Sequence, residues 1–190
     1  MHQGLVEDAV ISDLSAPLPA GGEPPWYLND LARGSALAAC LTHLEVEPAL
    51  PPRLLDTICN LTRLTTLDIT LKVYGNLLPE CLSKLTSLQD LTVAAQSSLA
   101  TQVTAECITR LTKMTELSLS NVHLPPGGAA GFPDLQILRL RSQRELPLGG
   151  LQGAGLSRLQ DLGMSGILIG SVSALSGLSA LTCLQVVRSR

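Results

Sequence analysis

The 190-residue chain is 45% hydrophobic and 15% charged, enough apolar matter for one domain with a sizeable interior. A net charge of −3 lacks the electrostatic footprint of a nucleic-acid binder, and Trp26, Tyr27, Tyr74 and Phe132 are too few and too scattered to stack bases. With so few aromatics, Leu and Ala must fill the core, which suits a thin, regularly stacked interior better than a thick one.

In chain order, residues 1–20 carry Glu7, Asp8 and Asp13 with no basic or apolar leader, so they do not read as a secretory signal. No window reaches the roughly 18 to 20 uninterrupted apolar residues of a membrane span, and a cytoplasmic protein is expected. Residues 16–25 (APLPAGGEPP) form a Pro/Gly loop, and residues 27–41 suit a helix interrupted at Gly34. Residues 1–36 are expected to be an N-terminal cap, with Trp26 covering the end of the core, or else a partly disordered extension.

From residue 37 the chain repeats itself. LTHLEV, LTTLDI, LQDLTV, MTELSL, LQILRL, LQDLGM and LTCLQV start at residues 41, 64, 88, 114, 135, 159 and 181, with gaps of 23, 24, 26, 21, 24 and 22. Three positions before each segment stands another apolar residue: Ala38, Leu61, Leu85, Leu111, Phe132, Leu156 and Leu178. The L-x-L pair has the period of a strand, so both residues point to one side, and the leading residues three apart suit a tight turn on the same core. Five buried apolar side chains contribute on the order of 10 kcal/mol per repeat. Ordering some twenty residues costs at least as much, so stability must come from stacking repeats on one another.

These seven segments, with LPPRLLDTICNLTRLTTLDI and LPECLSKLTSLQDLTV, resemble the leucine-rich-repeat family, most of all its plant-type and related intracellular subclasses. The resemblance covers about residues 37–188. It implies an α/β solenoid: a right-handed arc with a parallel β-sheet on the concave face and short helices, turns and loops on the convex face. It also implies a protein-binding role through the concave side. The family pattern continues L-x-x-L-x-L-x-x-N, and here the last position is Ala49, Lys72, Gln96, Val122, Gln143, Ile167 and Ser189, never Asn. Asn121 is one position off, so an irregular array with shifted turns is expected.

Among the convex segments, residues 102–112 (QVTAECITRLT) read as a true helix, whereas residues 121–132 (NVHLPPGGAAGF) cannot be helical throughout. The repeat with Gly149, Gly150, Gly153 and Gly155 reads as irregular too. The chain stops just after the seventh strand segment, so residues 37–190 read as seven repeats with no C-terminal cap. Either the array continues in a longer chain or another chain covers that end, and self-association through the last strand is expected.

Catalytic chemistry is not indicated. No phosphate loop, dinucleotide fingerprint, zinc-protease motif or nucleophile elbow occurs, and residues 163–166 (GMSG) fall short of the last. His2, His43 and His123 have no evident partner ligands. Cys40, Cys59, Cys81, Cys107 and Cys183 include no C-x-x-C, so no metal or cofactor is expected. Cys81 and Cys107 occupy equivalent repeat positions, which leaves buried thiols or a disulfide open, with thiols favoured. Residues 60–62 (NLT) spell a glycosylation sequon that, without a secretory signal, reads as accidental.

The expected function is therefore a non-enzymatic protein-protein interaction module. Two alternatives are a structural component of a cytoskeletal or ciliary axoneme assembly, and the substrate-recognition part of a ubiquitin-ligase adaptor, for whose F-box residues 1–36 are too short. If L-x-L points inward, Glu45, Glu47, Asp68, Asp90, Glu116, Arg139 and Arg141 face outward on the concave side. The first four strands carry acids and no Lys or Arg there, and the fifth carries two arginines. Register would set Glu45 beside Asp68, and Asp90 beside Glu116, so that like charges repel. A protein partner with a basic surface would relieve that. A solvated face, charged only for solubility, is the plainer account.

Overall fold

The computed structural model describes residues 8–11, 40–50, 52–73, 78–97, 103–125, 127–142, 151, 156–166, 175 and 177–187. The expected helix over 27–41, save its last two residues, the Pro/Gly loop, Trp26 and the glycines 149, 150, 153 and 155 lie outside them.

Each L-x-L segment is a strand. They are β2 (His43–Leu50), β3 (Thr66–Val73), β4 (Asp90–Ser97), β6 (Glu116–Ser120), β8 (Ile137–Arg141), β9 (Asp161–Ser165) and β10 (Cys183–Val187). With β1 (Asp8–Ile11) they form one parallel sheet in the order β1-β2-β3-β4-β6-β8-β9-β10. Neighbours in sequence are neighbours in space, as a solenoid requires. Sequence reasoning missed β1. Its Ala9 and Ile11 stand in register with Leu44 and Val46, but no upstream pair of leucines announces the strand.

The L-x-L residues make the core. Leu67, Leu91, Leu117, Leu138 and Leu162 are each fully buried, and they stand opposite one another from strand to strand. Upstream, the paired apolar residues three apart form a tight turn. The amides of Leu64, Leu88, Met114, Leu135, Leu159 and Leu181 donate to the carbonyls of Leu61, Leu85, Leu111, Phe132, Leu156 and Leu178 at 3.0–3.3 Å. That turn aims both side chains into the same thin core, and Phe132 fills the place that Leu holds in five of its neighbours.

The convex elements differ from repeat to repeat. The first is a helix, α1 (Pro52–Ile58), with Leu55 and Ile58 buried. The next three are 3-10 turns over Glu80–Lys84, Cys107–Arg110 and Gly128–Gly131. The helix expected over residues 102–112 is therefore not formed. Its start is instead β5 (Val103–Thr104), paired in parallel with β7 (Val122–His123), and only the short 3-10 turn follows. The reason is hydrogen-bond competition. The Ala105 amide donates to the His123 carbonyl at 2.8 Å, and the Leu78 amide donates to the Thr104 carbonyl at 3.0 Å. Neighbouring repeats thus satisfy backbone groups that a helix would satisfy internally, and β-branched Val103, Thr104, Ile108 and Thr109 favour that outcome.

Candidate functional site

The pleat that buries the L-x-L residues turns the intervening ones to the opposite, open face of the sheet. Strand register arranges these in rows. One row runs His43, Thr66, Asp90, Glu116, Ile137, Asp161, Cys183, and the next runs Glu45, Asp68, Thr92, Ser118, Arg139, Gly163, Gln185. A third runs Thr70, Ala94, Ser120, Arg141, Ser165, Val187. Glu47 belongs to β2, but the β2–β3 register shifts after Val46, which breaks its correspondence with Thr70.

The juxtapositions expected from the sequence are present: Glu45 stands opposite Asp68, and Asp90 opposite Glu116. Glu45 and Asp68 are exposed, while Asp90 and Glu116 are half-buried. Burial pushes the Asp90 carboxyl above the usual carboxylate range. The charges of Glu116 and Asp68 on the flanking strands push the same way, and Arg139 and His43 pull back.

The two arginines are not equivalent. Arg139 donates to the Glu116 carboxylate and lies 3.7 Å from Asp161 on the other side, so it bridges β6 and β9 across its own strand. Sequence reasoning placed both arginines on the face but could not foresee this bridge, because Asp161 is two repeats from Glu116. Arg139 and Arg141 line a hollow of about 380 Å³ together with Ser, Gly and Gln residues of β6, β9 and β10 and the apolar Leu119, Leu140, Met164 and Val187.

A second set of polar residues, at the leading edge of the sheet, was not singled out in the sequence. Thr42, Thr65, Gln89, Thr115, Gln136 and Gln160 each offer one carbonyl to two successive amides of the next repeat, at 2.7–3.1 Å. Thr65, Thr115 and Thr182 add their hydroxyls, donating to the carbonyls of Thr42, Gln89 and Gln160 at 3.0–3.1 Å. The signal was the Thr or Gln that follows the first residue of all seven segments.

Among the described residues, no group of three or more His, Cys, Asp or Glu side chains could hold a metal ion. No helix among them is long and apolar enough to cross a membrane. All five cysteines are free thiols. Burial pushes the Cys59 thiol far up, and a hydrogen bond with Cys81 adds to it; burial likewise pushes Cys107 up to about 12. Such thiols stay protonated and inert at neutral pH.

The stacked parallel strands, the L-x-x-L-x-L core and the variable convex turns define a leucine-rich-repeat solenoid. An internalin, InlF, from Listeria monocytogenes superposes with a TM-score of 0.59 at 22% identity, covering 80% of this chain and 42% of that one. Internalin C2 of the same organism gives 0.58 at 22% identity, covering 77% and 62%. The leucine-rich-repeat ectodomain of the Arabidopsis receptor kinase HAESA, solved in complex with an extended IDA peptide hormone ligand, gives 0.51 at 18% identity, covering 80% and 27%. This chain thus spans less than two thirds of each of these structures. No protein-family profile matches it, and no curated protein does.

Proposed function

We propose that this chain is a non-enzymatic protein-interaction module that takes its partner on the open, concave face of the sheet. Residues 37–190 supply the seven repeats of that face, and β1 (Asp8–Ile11) adds a strand beside the first of them. The observation that carries the reading is Asp90. Burial first, and then the charges of Glu116 opposite it and of Asp68 on the other flanking strand, hold the half-buried Asp90 carboxyl above the usual carboxylate range. Like charges so placed weaken a sheet, and a basic partner surface compensates them. Glu45 extends the acidic side on β2, and Arg141 on β8 gives the far side a contrasting sign that orients the partner, Arg139 being already engaged by Glu116 and Asp161. The peptide-bound HAESA ectodomain, which shares the fold, lends general support to a polypeptide partner.

The test starts with affinity capture on residues 1–190 and identification of the bound protein by mass spectrometry. Asp68, Asp90 and Glu116 are then replaced together by Ser. Affinity should drop at least tenfold, and its dependence on salt should flatten. Unchanged affinity and unchanged salt dependence would leave only a solvated face.

A further inference from the structure

Arg139 and Arg141 stand two residues apart on β8, so both reach the open face, yet they are engaged differently. Arg139 is neutralised by Glu116 and Asp161. Among the described residues no carboxylate pairs with Arg141, whose side chain is exposed. Its neighbours in register are Ser120 on one flanking strand and Ser165 on the other. All three line the 380 Å³ hollow. The guanidinium offers a fixed fork of N–H donors, and each serine one rotatable O–H. Glu116 and Asp161 lie four residues back along their strands, roughly 13 Å at 3.3 Å per residue. That exceeds the Debye length of about 8 Å at physiological salt, so they do little to cancel Arg141.

We infer that Arg141, Ser120 and Ser165 form a subsite for a single carboxylate, presented by an Asp or Glu side chain of the partner polypeptide. The inference rests on the concave-face reading and assigns one anchor within it. A lone guanidinium matches a carboxylate through two parallel N–H···O bonds, and the serine hydroxyls on either side can donate to the same oxygens. A phosphate dianion is the poorer match. It calls for a second cation, and the nearest, Arg139, is already held by two acids.

The experiment is an NMR titration of the full chain, following the Arg141 side-chain Nε–H and the amides of Ser120 and Ser165 at fixed ionic strength. The probes are the blocked tripeptide acetyl-Gly-Asp-Gly-amide, its Asn counterpart and inorganic phosphate. The Asp peptide should shift these signals saturably, with at least tenfold weaker binding by the Asn peptide and no tighter binding by phosphate. Arg141→Gln should abolish the response, and Ser120→Ala with Ser165→Ala should weaken it, with the remaining amide spectrum unchanged as the check on folding. Equal response to the Asp and Asn peptides, or a response that survives Arg141→Gln, overturns the subsite. Tighter binding by phosphate overturns the carboxylate in favour of a phosphoryl group. A captured partner indifferent to the Asp68, Asp90 and Glu116 triple variant, alongside an intact Asp-peptide response, defeats the concave-face reading and spares the subsite.

Discussion

Asp90 shows how a single charged residue on the open face of the sheet can weigh against folding. Its carboxyl titrates above the usual value in the folded chain, so the folded state holds that proton more tightly than the unfolded one. The stabilisation this group offers is therefore present at low pH and is lost as pH rises through its folded pKa. At neutral pH the charge is a net cost. Asp90→Asn should remove about 0.2 to 1 kcal/mol of cross-strand repulsion and raise Tm by up to about 4 °C, while weakening capture of the partner. A lower Tm by calorimetry would mean that Arg139 and His43 already compensate the charge. His123 runs the opposite way. It is buried on β7, and burial lowers its pKa. The neutral ring is favoured, so its contribution is complete above the ordinary His value of about 6.5 and declines as pH falls below that. His123→Gln cannot titrate. The Tm difference between parent and variant should therefore stay constant from pH 8 to 7 and shift against the parent below about 6.5. A constant difference down to pH 5 would show that His123 protonates without cost.

At the scale of elements, what was legible in the sequence is what the period fixes. Leu117 and Leu119 on β6 are buried while Glu116, Ser118 and Ser120 are not, because a strand's alternation leaves no other choice. The acidic pairs of the candidate site followed from the same register. The convex side was less legible, since its elements are decided by contacts with the next repeat, and local propensity carries no information about those. Gly131 is an example. A Cβ there would lie 2.2 Å from the Thr109 carbonyl oxygen, so the two 3-10 turns approach at a distance only glycine allows. Gly131→Ala should cost roughly 1 to 3 kcal/mol of overpacking in chemical denaturation, and an unchanged midpoint would mean the repeats can slide apart. Asn121 was legible only in part. It sits at φ 57°, a left-handed conformation that Asn tolerates, and its side-chain amide reaches the Ala95 carbonyl at 3.5 Å. The asparagine ladder of the family is thus sketched at one position, one residue early, while the Thr and Gln carbonyls at the leading edge link every repeat.

Across the whole molecule, the same L-x-L pair has two fates. Leu162 and Met164 on β9 are 0% and 2% exposed, whereas Leu184 and Val186, in register with them on β10, are 48% and 47% exposed. Among the described residues the end face of the core is therefore apolar and open, and β10 stands last in their sheet order with none of them forming a strand against its outer edge. Such an edge is a template for another strand, and Cys183–Val187 contains no charge to discourage one. The 190-residue chain should accordingly self-associate in sedimentation at rising concentration, with β10 pairing against β10 of a second copy. Leu184→Lys with Val186→Lys should restore a monomer, since a charged end face repels its copy. The double variant should also keep the stability of the array, because these side chains gain little burial in the single chain. Leu117→Ala at mid-array should instead cost about 2 to 5 kcal/mol, as for other fully buried leucines. A parent chain that stays monomeric at high concentration would remove β10 as an association surface. A Lys pair that destabilises as much as Leu117→Ala would show that the end of the core is covered from within the chain.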